Sequence, residues 1–557
     1  MTVGRTPRQA DVFRSTTQFV DELVGQDSIW AVLHRESHRL FPDDAFADLF
    51  QTSGRRSIPP RILAVVMVLQ KALGLSDREA VAAFQFDIRW KYACGGLDFD
   101  YPGFVHTVLS GMRARLASSD DPDRIFNATV DVAKAAGLIG RKRVMDSAPI
   151  YDAVATQDTV TMIRSAIRGL LKIVDPDLKA ELQAVLQRDD DYTTAGKPVC
   201  DWEDPDARIE LVDALASDGH GCLEVLEGRE LSGPVGRAAR LLATVVGQDL
   251  EMDADGRFVS ARKVAKDRVI STVDPDARHG HKTSARGFDG YKGHIAEDPD
   301  SEIITNTTVT AGNVADGAVA EELLADILPT TTNNNSPDAT GTDDAGGTGT
   351  GTGTDTGGDD DDDDDDGGGV PVVYGDCAYG TGELQQAFED AGVESKCRTQ
   401  KPVGRKNRFS KAKFKIDLDA DTVRCPNKVT VTIRRSNDGT TGTAAFGENC
   451  AECPLRKACT ESVSGRTISV GPHEAILAKA RERQNDPAWQ DDYRSTRPKV
   501  ERKLAHLLRR QHGGRRARMR GLIKVGADFA LLAAAQNLAR LGALGITSTP
   551  TGWATAA

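Results

Sequence analysis

The sequence predicts an α/β protein: a core of buried strands, interrupted by insertions and preceded by an all-α region. Three observations carry that reading. The run Val370-Pro-Val-Val-Tyr-Gly ends in Asp376 and leads through Gly380 to a helix start at Gly382, the pattern of a doubly covered strand entering a turn. A second apolar pair, Val144-Met145, ends likewise in Asp146 followed by small residues. Residues 13–118, by contrast, carry helical spacing throughout.

A chain of 557 residues is long enough for two to four domains with ample core. Its formal charge of −13 argues against a nucleic-acid partner only at face value. Residues 329–369 hold twelve Asp and no Lys or Arg, so the remainder is near neutral with segregated charge. No signal peptide is visible at Met1-Thr-Val-Gly-Arg, and the apolar stretch Phe529–Ala535 is too short to span a bilayer. The expectation is a cytoplasmic protein that keeps off membranes. Nine cysteines, four of them clustered late, favour a reducing compartment and a metal over disulfides.

Taken in order, residues 1–120 read as a helical N-terminal domain. Pro59-Pro60 opens one helix, and Ser76-Asp-Arg-Glu79 is a capping-box pattern opening another. The two helices joined by Leu73-Gly-Leu-Ser76 read either as a DNA-contacting helix-turn-helix or as part of a plain bundle. Residues 121–157 contain the first core strand with Asp146. A helical insertion follows at 158–265, with helices at Thr159–Ile173, Leu178–Gln187, Arg208–Ala216 and Pro234–Gly247 and no clear strand. Core strands resume within 266–328 at Gly290–Ala296 and Ile303–Thr310, around a turn at Glu297-Asp-Pro-Asp-Ser301. Arg278, Lys292 and His294 read either as phosphate or metal contacts or as ordinary loop and edge-strand residues. Residues 329–369 form an acidic low-complexity insert that cannot bury enough apolar surface to order itself. The strand of Asp376 occupies 370–400.

Within 401–480 lie a basic stripe and four cysteines. Eight Lys or Arg fall between Arg398 and Lys415 without an acid, among them Arg405, Lys406 and Arg408, which suits phosphate contact. Cys425 with Cys450-Ala-Glu-Cys453 and Cys459 has the spacing of a tetrahedral structural zinc site, a zinc knuckle. Residues 481–557 supply a basic amphipathic helix, then an apolar helix at Phe529–Leu544. Between Arg494 and Lys524 stand twelve Lys or Arg and a single acid, Glu501. A lone carboxylate in such a field is hard to explain unless it serves a metal.

Asp146, Asp376 and Glu501 thus form a candidate carboxylate cage, the donor set that suits two hard divalent ions about 4 Å apart in in-line phosphoryl displacement. The order Asp, Gly-Asp-x-x-Tyr-Gly, then an Arg-x-x-x-Glu helix resembles a DDE-type insertion-sequence transposase over roughly Phe13–Leu541. Gly375-Asp-Cys-Ala-Tyr-Gly380 and the tail Arg515-Arg-Ala-Arg-Met-Arg-Gly-Leu-Ile-Lys-Val525 carry most of the likeness. Many such relatives show Y-x-x-R-x-x-x-E-x6-K. Arg497 matches its arginine, while Arg494 and Leu508 stand at the tyrosine and lysine positions.

The resemblance implies an RNase H-like core and Mg²⁺ (or Mn²⁺), two ions, at Asp146, Asp376 and Glu501. It implies cleavage at element ends and strand transfer into target DNA. Double-stranded DNA, the terminal inverted repeats and target alike, would be held by Arg405, Lys406, Arg408, Arg497, Arg515, Arg516 and Arg518. Structural Zn²⁺ at the cysteines, a homodimeric synaptic complex and a nucleoid-associated location complete the expectation. The alternatives are a nuclease of the same core that only hydrolyses, and an inactive DNA-binding descendant.

Overall fold

A computed structural model describes residues 15–328 and 369–555, apart from Thr52, Arg55, Ala153, Asp191, Arg262, Val264, Ser284, Ala285, Arg405 and Lys406. Apart from Gly369, the acidic insert lies outside the described residues.

The N-terminal stretch carries α1 (Thr16–Asp21), α2 (Ile29–Leu40), α3 (Pro60–Ala72), α4 (Asp77–Phe86), α5 (Ile88–Ala93), α6 (Thr107–Ala117) and α7 (Arg124–Ala135). β1 (Lys142–Tyr151) leads to α8 (Thr159–Ile173), α9 (Pro176–Ala184), α10 (Pro205–Leu226) and α11 (Gly233–Gln248). Next come β2 (Leu250–Met252), β3 (Phe258–Ser260), β4 (Arg278–Thr283), β5 (Arg286–Glu297), β6 (Ile304–Ala311) and α12 (Ala320–Leu323). Beyond the insert follow β7 (Val372–Gly375), α13 (Gly382–Asp390) and β8 (Glu394–Cys397). Six short strands come after them, β9 (Lys415–Asp417), β10 (Thr422–Arg424), β11 (Thr430–Thr432), β12 (Arg434–Arg435), β13 (Gly442–Ala445) and, after α14 (Arg456–Cys459), β14 (Thr467–Val470). The chain closes with α15 (Glu474–Arg483), α16 (Pro487–Thr496), α17 (Pro498–Leu507), α18 (Leu522–Ala543), β15 (Ile546–Thr549) and β16 (Gly552–Thr555).

These elements fall into two compact units, Met1–Gly140 with Val144–Val319 and Arg494–Ala557, and Arg141–Arg143 with Ala320–Tyr493. In the first unit β5 pairs antiparallel with β1, β4 and β6. The segment Asp274–Lys282, rich in polar and turn-forming residues, contributes β4 from Arg278 on. Helix α18 packs on β6 and on α2, α3 and α7. It begins at Leu522, earlier than Phe529, because Asp274 and Asp276 accept the otherwise orphaned N–H groups of Gly521 and Leu522 at 3.1 and 2.9 Å. Its length and composition suit a membrane span, contrary to the shorter apolar run expected there, yet 61% of its most apolar window is buried inside the unit. It is a core helix.

The expected capping box opens α4: Ser76 and Glu79 exchange side-chain and backbone hydrogen bonds. Gly74 precedes it with φ of +65°, and a Cβ there would meet the Gln511 carbonyl oxygen at 2.1 Å, so both conformation and space require glycine. In the helical insertion α8 spans the predicted residues, while α10 runs ten residues further and β2–β3 is a hairpin where no strand was expected. Val160, Ile163, Leu170, Leu215 and Leu242 help form this region's own core.

The second unit contains a parallel β7–α13–β8 crossover, in register Val372↔Glu394 to Gly375↔Cys397. The expected knuckle region is larger than a knuckle. It comprises two three-stranded antiparallel sheets, β11-β10-β9 and β12-β13-β14, around Phe414, Val423, Ile433, Phe446, Ile468 and Val470.

Candidate active site

Asp146 lies within β1 opposite Ile295 of β5, after the fully buried Val144 and Met145. The strand continues through it to Tyr151, so this carboxylate is not at a strand end as its sequence suggested. One oxygen accepts the Ser147 N–H at 2.8 Å, and the other meets Nη2 of Arg497 at 3.0 Å. Arg497 is buried between α16 and α17, and its Nη1 lies 3.4 Å from Oε1 of Glu501, one turn further on. Pro498 fits the first position of α17, where no N–H is missed. Val500, Leu504 and Leu507 take the buried stripe of α17, which leaves the Glu501 side chain 63% exposed. Two carboxylates remote in sequence therefore converge on one guanidinium.

Asp376 follows β7 directly, as expected. Its Oδ1 accepts the Ala378 N–H at 2.8 Å and its carbonyl the Tyr379 N–H at 3.2 Å, a tight turn that holds the side chain half-buried. A Cβ on Gly380 would strike the Arg398 carbonyl oxygen at 1.9 Å, so the Tyr-Gly ending is steric in origin. Thr381 then caps α13.

The other sequence candidates divide. Lys292 binds Asp316 and the Val314 carbonyl, and Arg278 binds Asp267. His294 is fully buried against Thr310, and burial lowers its pKa to about 4, so it is neutral at physiological pH. These three are structural. Arg408 pairs with Glu461 and Lys411 with Glu474. Arg497 is buried beside Asp146 and Glu501. Arg518 donates to the carbonyls of Gly74 and Leu75, fastening the α3–α4 turn. Arg515 and Arg516 are exposed, and their backbone runs parallel beside Tyr151 at the end of β1. Arg405 and Lys406 lie outside the described residues.

Cys425, Cys450, Cys453 and Cys459 line one cavity of about 20 Å³. The Arg466 N–H points at Sγ of Cys450 at 3.5 Å. Burial raises the Cys459 pKa, Arg466 opposes the rise, and the other three thiols add to it. The four thiols thus lie close enough to act on one another electrostatically, and thiol sulfur is a donor type that zinc accepts. Among the described residues, however, no three His, Cys, Asp or Glu side chains are arranged to hold a metal ion.

One buried group had no sequence signal at all. Glu297, assigned to a turn by composition, is the last residue of β5, fully buried, and neither carboxyl oxygen has a hydrogen-bond partner.

Comparison with known families supplies the class first. Residues 247–344 and 424–542 each match a "Transposase DDE domain", and residues 19–115 match a "Transposase domain (DUF772)". Glu501 and all four clustered cysteines fall within the second DDE match; Asp146 and Asp376 lie outside the three. The mixed α/β architecture agrees with such a domain. Together the matches span more than half of the chain, which belongs to the insertion-sequence-type DDE transposases. No curated protein and no solved structure matches it.

Proposed function

We propose that this transposase cleaves DNA at the ends of its element and joins the freed ends to target DNA. Asp146, Asp376 and Glu501 would hold Mg²⁺ or Mn²⁺, a donor set of hard oxygens that fits such ions. When bound, the ions polarise the attacking and leaving oxygens of an in-line displacement. The convergence of Asp146 and Glu501 on Arg497, in a chain matching transposase domains, carries the reading. Arg497 fixes the two side chains relative to one another and offsets their mutual repulsion. In the first step water attacks phosphorus and the 3′-oxygen leaves. In the second that 3′-OH attacks a target phosphodiester and displaces its 3′-oxygen, so no covalent protein–DNA bond is needed. Exposed Arg515 and Arg516 serve DNA phosphates, as Arg405 and Lys406 are proposed to do. A homodimer acting on both ends, in the cytoplasm with the nucleoid, completes the proposal.

Asp146→Ala, Asp376→Ala and Glu501→Ala should each lower Mg²⁺-dependent cleavage of end-bearing DNA by at least ~10²–10³-fold while leaving binding intact. Strong residual cleavage in one variant would remove that residue from the cage. Cleavage without strand-transfer products in the unaltered protein would favour the purely hydrolytic nuclease.

The four cysteines are proposed to hold one structural zinc, with no open position for substrate. Elemental analysis should find about one zinc per chain, and Cys453→Ser should lower both zinc content and melting temperature. Zinc-free, fully folded protein would refute this.

A further inference from the structure

Helices α8 and α11 pack directly on one another. In a chain of formal charge −13 neither contains a single Asp or Glu, whereas α8 carries Arg164, Arg168 and Lys172 and α11 carries Arg237 and Arg240. Two acids flanking them are already engaged: Asp158 pairs with Lys197 at 2.9 Å, and Asp249 with Arg268 at 2.7 Å, while Asp175 caps α9. Among the described residues, Arg164 alone of the five cations pairs with a carboxylate, that of Asp190. Neighbouring α9 and α10, with Asp177, Glu181, Asp206, Glu210 and Asp213, show that acids are common elsewhere in the same region.

Between α8, α9 and α11 opens a cleft of about 750 Å³. Arg168 and Lys172 project into it from successive turns of α8, and Lys179 faces them from α9. Asp190, also in the lining, is held by buried Arg164 at 3.0 Å with Arg188 at 3.9 Å. Among the described residues, Arg168, Lys172 and Lys179 make no ion pair with a carboxylate. Arg168 donates only to the Thr194 carbonyl and the Ser165 hydroxyl. Lys172 is exposed and Lys179 half-buried. Holding three like charges around one concavity costs energy through mutual repulsion, a cost that an anionic ligand would remove.

We propose that this cleft binds the phosphate backbone of DNA, giving the helical insertion a DNA contact of its own. The proposal rests on the transposase reading, which supplies a polyanion as the natural partner. Cationic heads on flexible stems grip phosphates without reading bases, so the contact should be independent of sequence. Each phosphate neutralised releases counterions and steepens the salt dependence of binding.

The test compares full-length protein with a variant carrying Arg168→Gln, Lys172→Gln and Lys179→Gln, on end-bearing and unrelated duplexes across a salt series. The slope of log K against log salt concentration should become shallower by ~2–3, equally on both duplexes, with binding at low salt weakened roughly tenfold or more. Cleavage of DNA already saturated with protein should persist. An unchanged slope in a folded variant, beside wild type that binds and cleaves, would overturn the cleft proposal alone. Wild type that binds no DNA would overturn the transposase reading with it. If the triple variant does not fold, Lys172→Glu and Lys179→Glu, made singly, should each lower the slope by about 1; no change in either overturns the proposal. Inorganic phosphate or ADP occupying the cleft without weakening DNA binding would mark it as a small-anion site and overturn it too.

Discussion

Asp146 on β1 and Glu297 on β5 sit two register positions apart on paired antiparallel strands, since Asp146 faces Ile295 and Val144 faces Glu297. Strand alternation puts both carboxylates on the same face of the sheet. Their surroundings differ completely. Asp146 is half-buried, with a backbone N–H on one oxygen and the Arg497 guanidinium on the other. Glu297 has no exposure and, among the described residues, no hydrogen-bond partner for its carboxyl group. Burial drives its pKa up to about 8, against the opposing charge of Lys503. A carboxyl group on a core strand thus keeps its charged form where a cation and hydrogen bonds stabilise it. For Glu297, without such hydrogen bonds among the described residues, burial outweighs Lys503, and the group stays protonated near neutral pH.

The sharpest test of the contrast substitutes each acid by its amide. Asp146→Asn should cost at least ~10²–10³-fold in Mg²⁺-dependent cleavage. Glu297→Gln, which replaces one neutral group by another, should leave the cleavage rate within about twofold. Equal losses in the two variants would break the comparison.

A smaller effect should appear in stability. Glu297 has a folded pKa of about 8, raised from an ordinary value of 4.5. Between those values the folded state holds a proton that the unfolded state has released. Its contribution is therefore fully present below pH 4.5 and is lost as pH rises through about 8. The limiting slope is ~1.4 kcal/mol per pH unit. Glu297→Gln should flatten that decline, so its melting temperature should exceed that of wild type at pH 8 and converge with it near pH 5. Parallel pH profiles for the two proteins would mean that Glu297 is not protonated in the fold.

Much of this architecture was legible from local pattern. Helical spacing over Thr159–Ile173 gives α8 its observed bounds, and the Ser76–Glu79 box marks the start of α4. Asp376 is singled out in the sequence by the strand and two glycines that frame it, and the structure places it directly after β7. Glu501 is singled out as the one acid in a basic field, and it lies in the first turn of α17. What escaped was structure held by distant partners. Glu297 looked like a turn residue because burying an unpaired carboxyl group is costly, and its neighbours Asp298, Pro299 and Asp300 do form the turn. The first turns of α18 looked too polar for a core helix, yet Asp528 is taken up by the buried Lys71. The strands of the cysteine-bearing module are two to four residues long, shorter than the span over which alternation can be recognised. Arg497 stood out as a signature arginine, but its contacts with Asp146 and Glu501 depend on the fold.

The position of α18 has a consequence for synthesis on the ribosome. The N-terminal helices α2, α3 and α7 pack on a helix whose first residue is Leu522, and α7 itself ends at Ala135. At ordinary elongation rates those helices emerge on the order of 20–80 s before their central packing partner exists. Throughout that interval α3 and α7 lack the helix against which they finally pack. A nascent chain truncated before α18 therefore cannot complete its N-terminal region, and a helix made hundreds of residues later sets the moment at which the first ones become native.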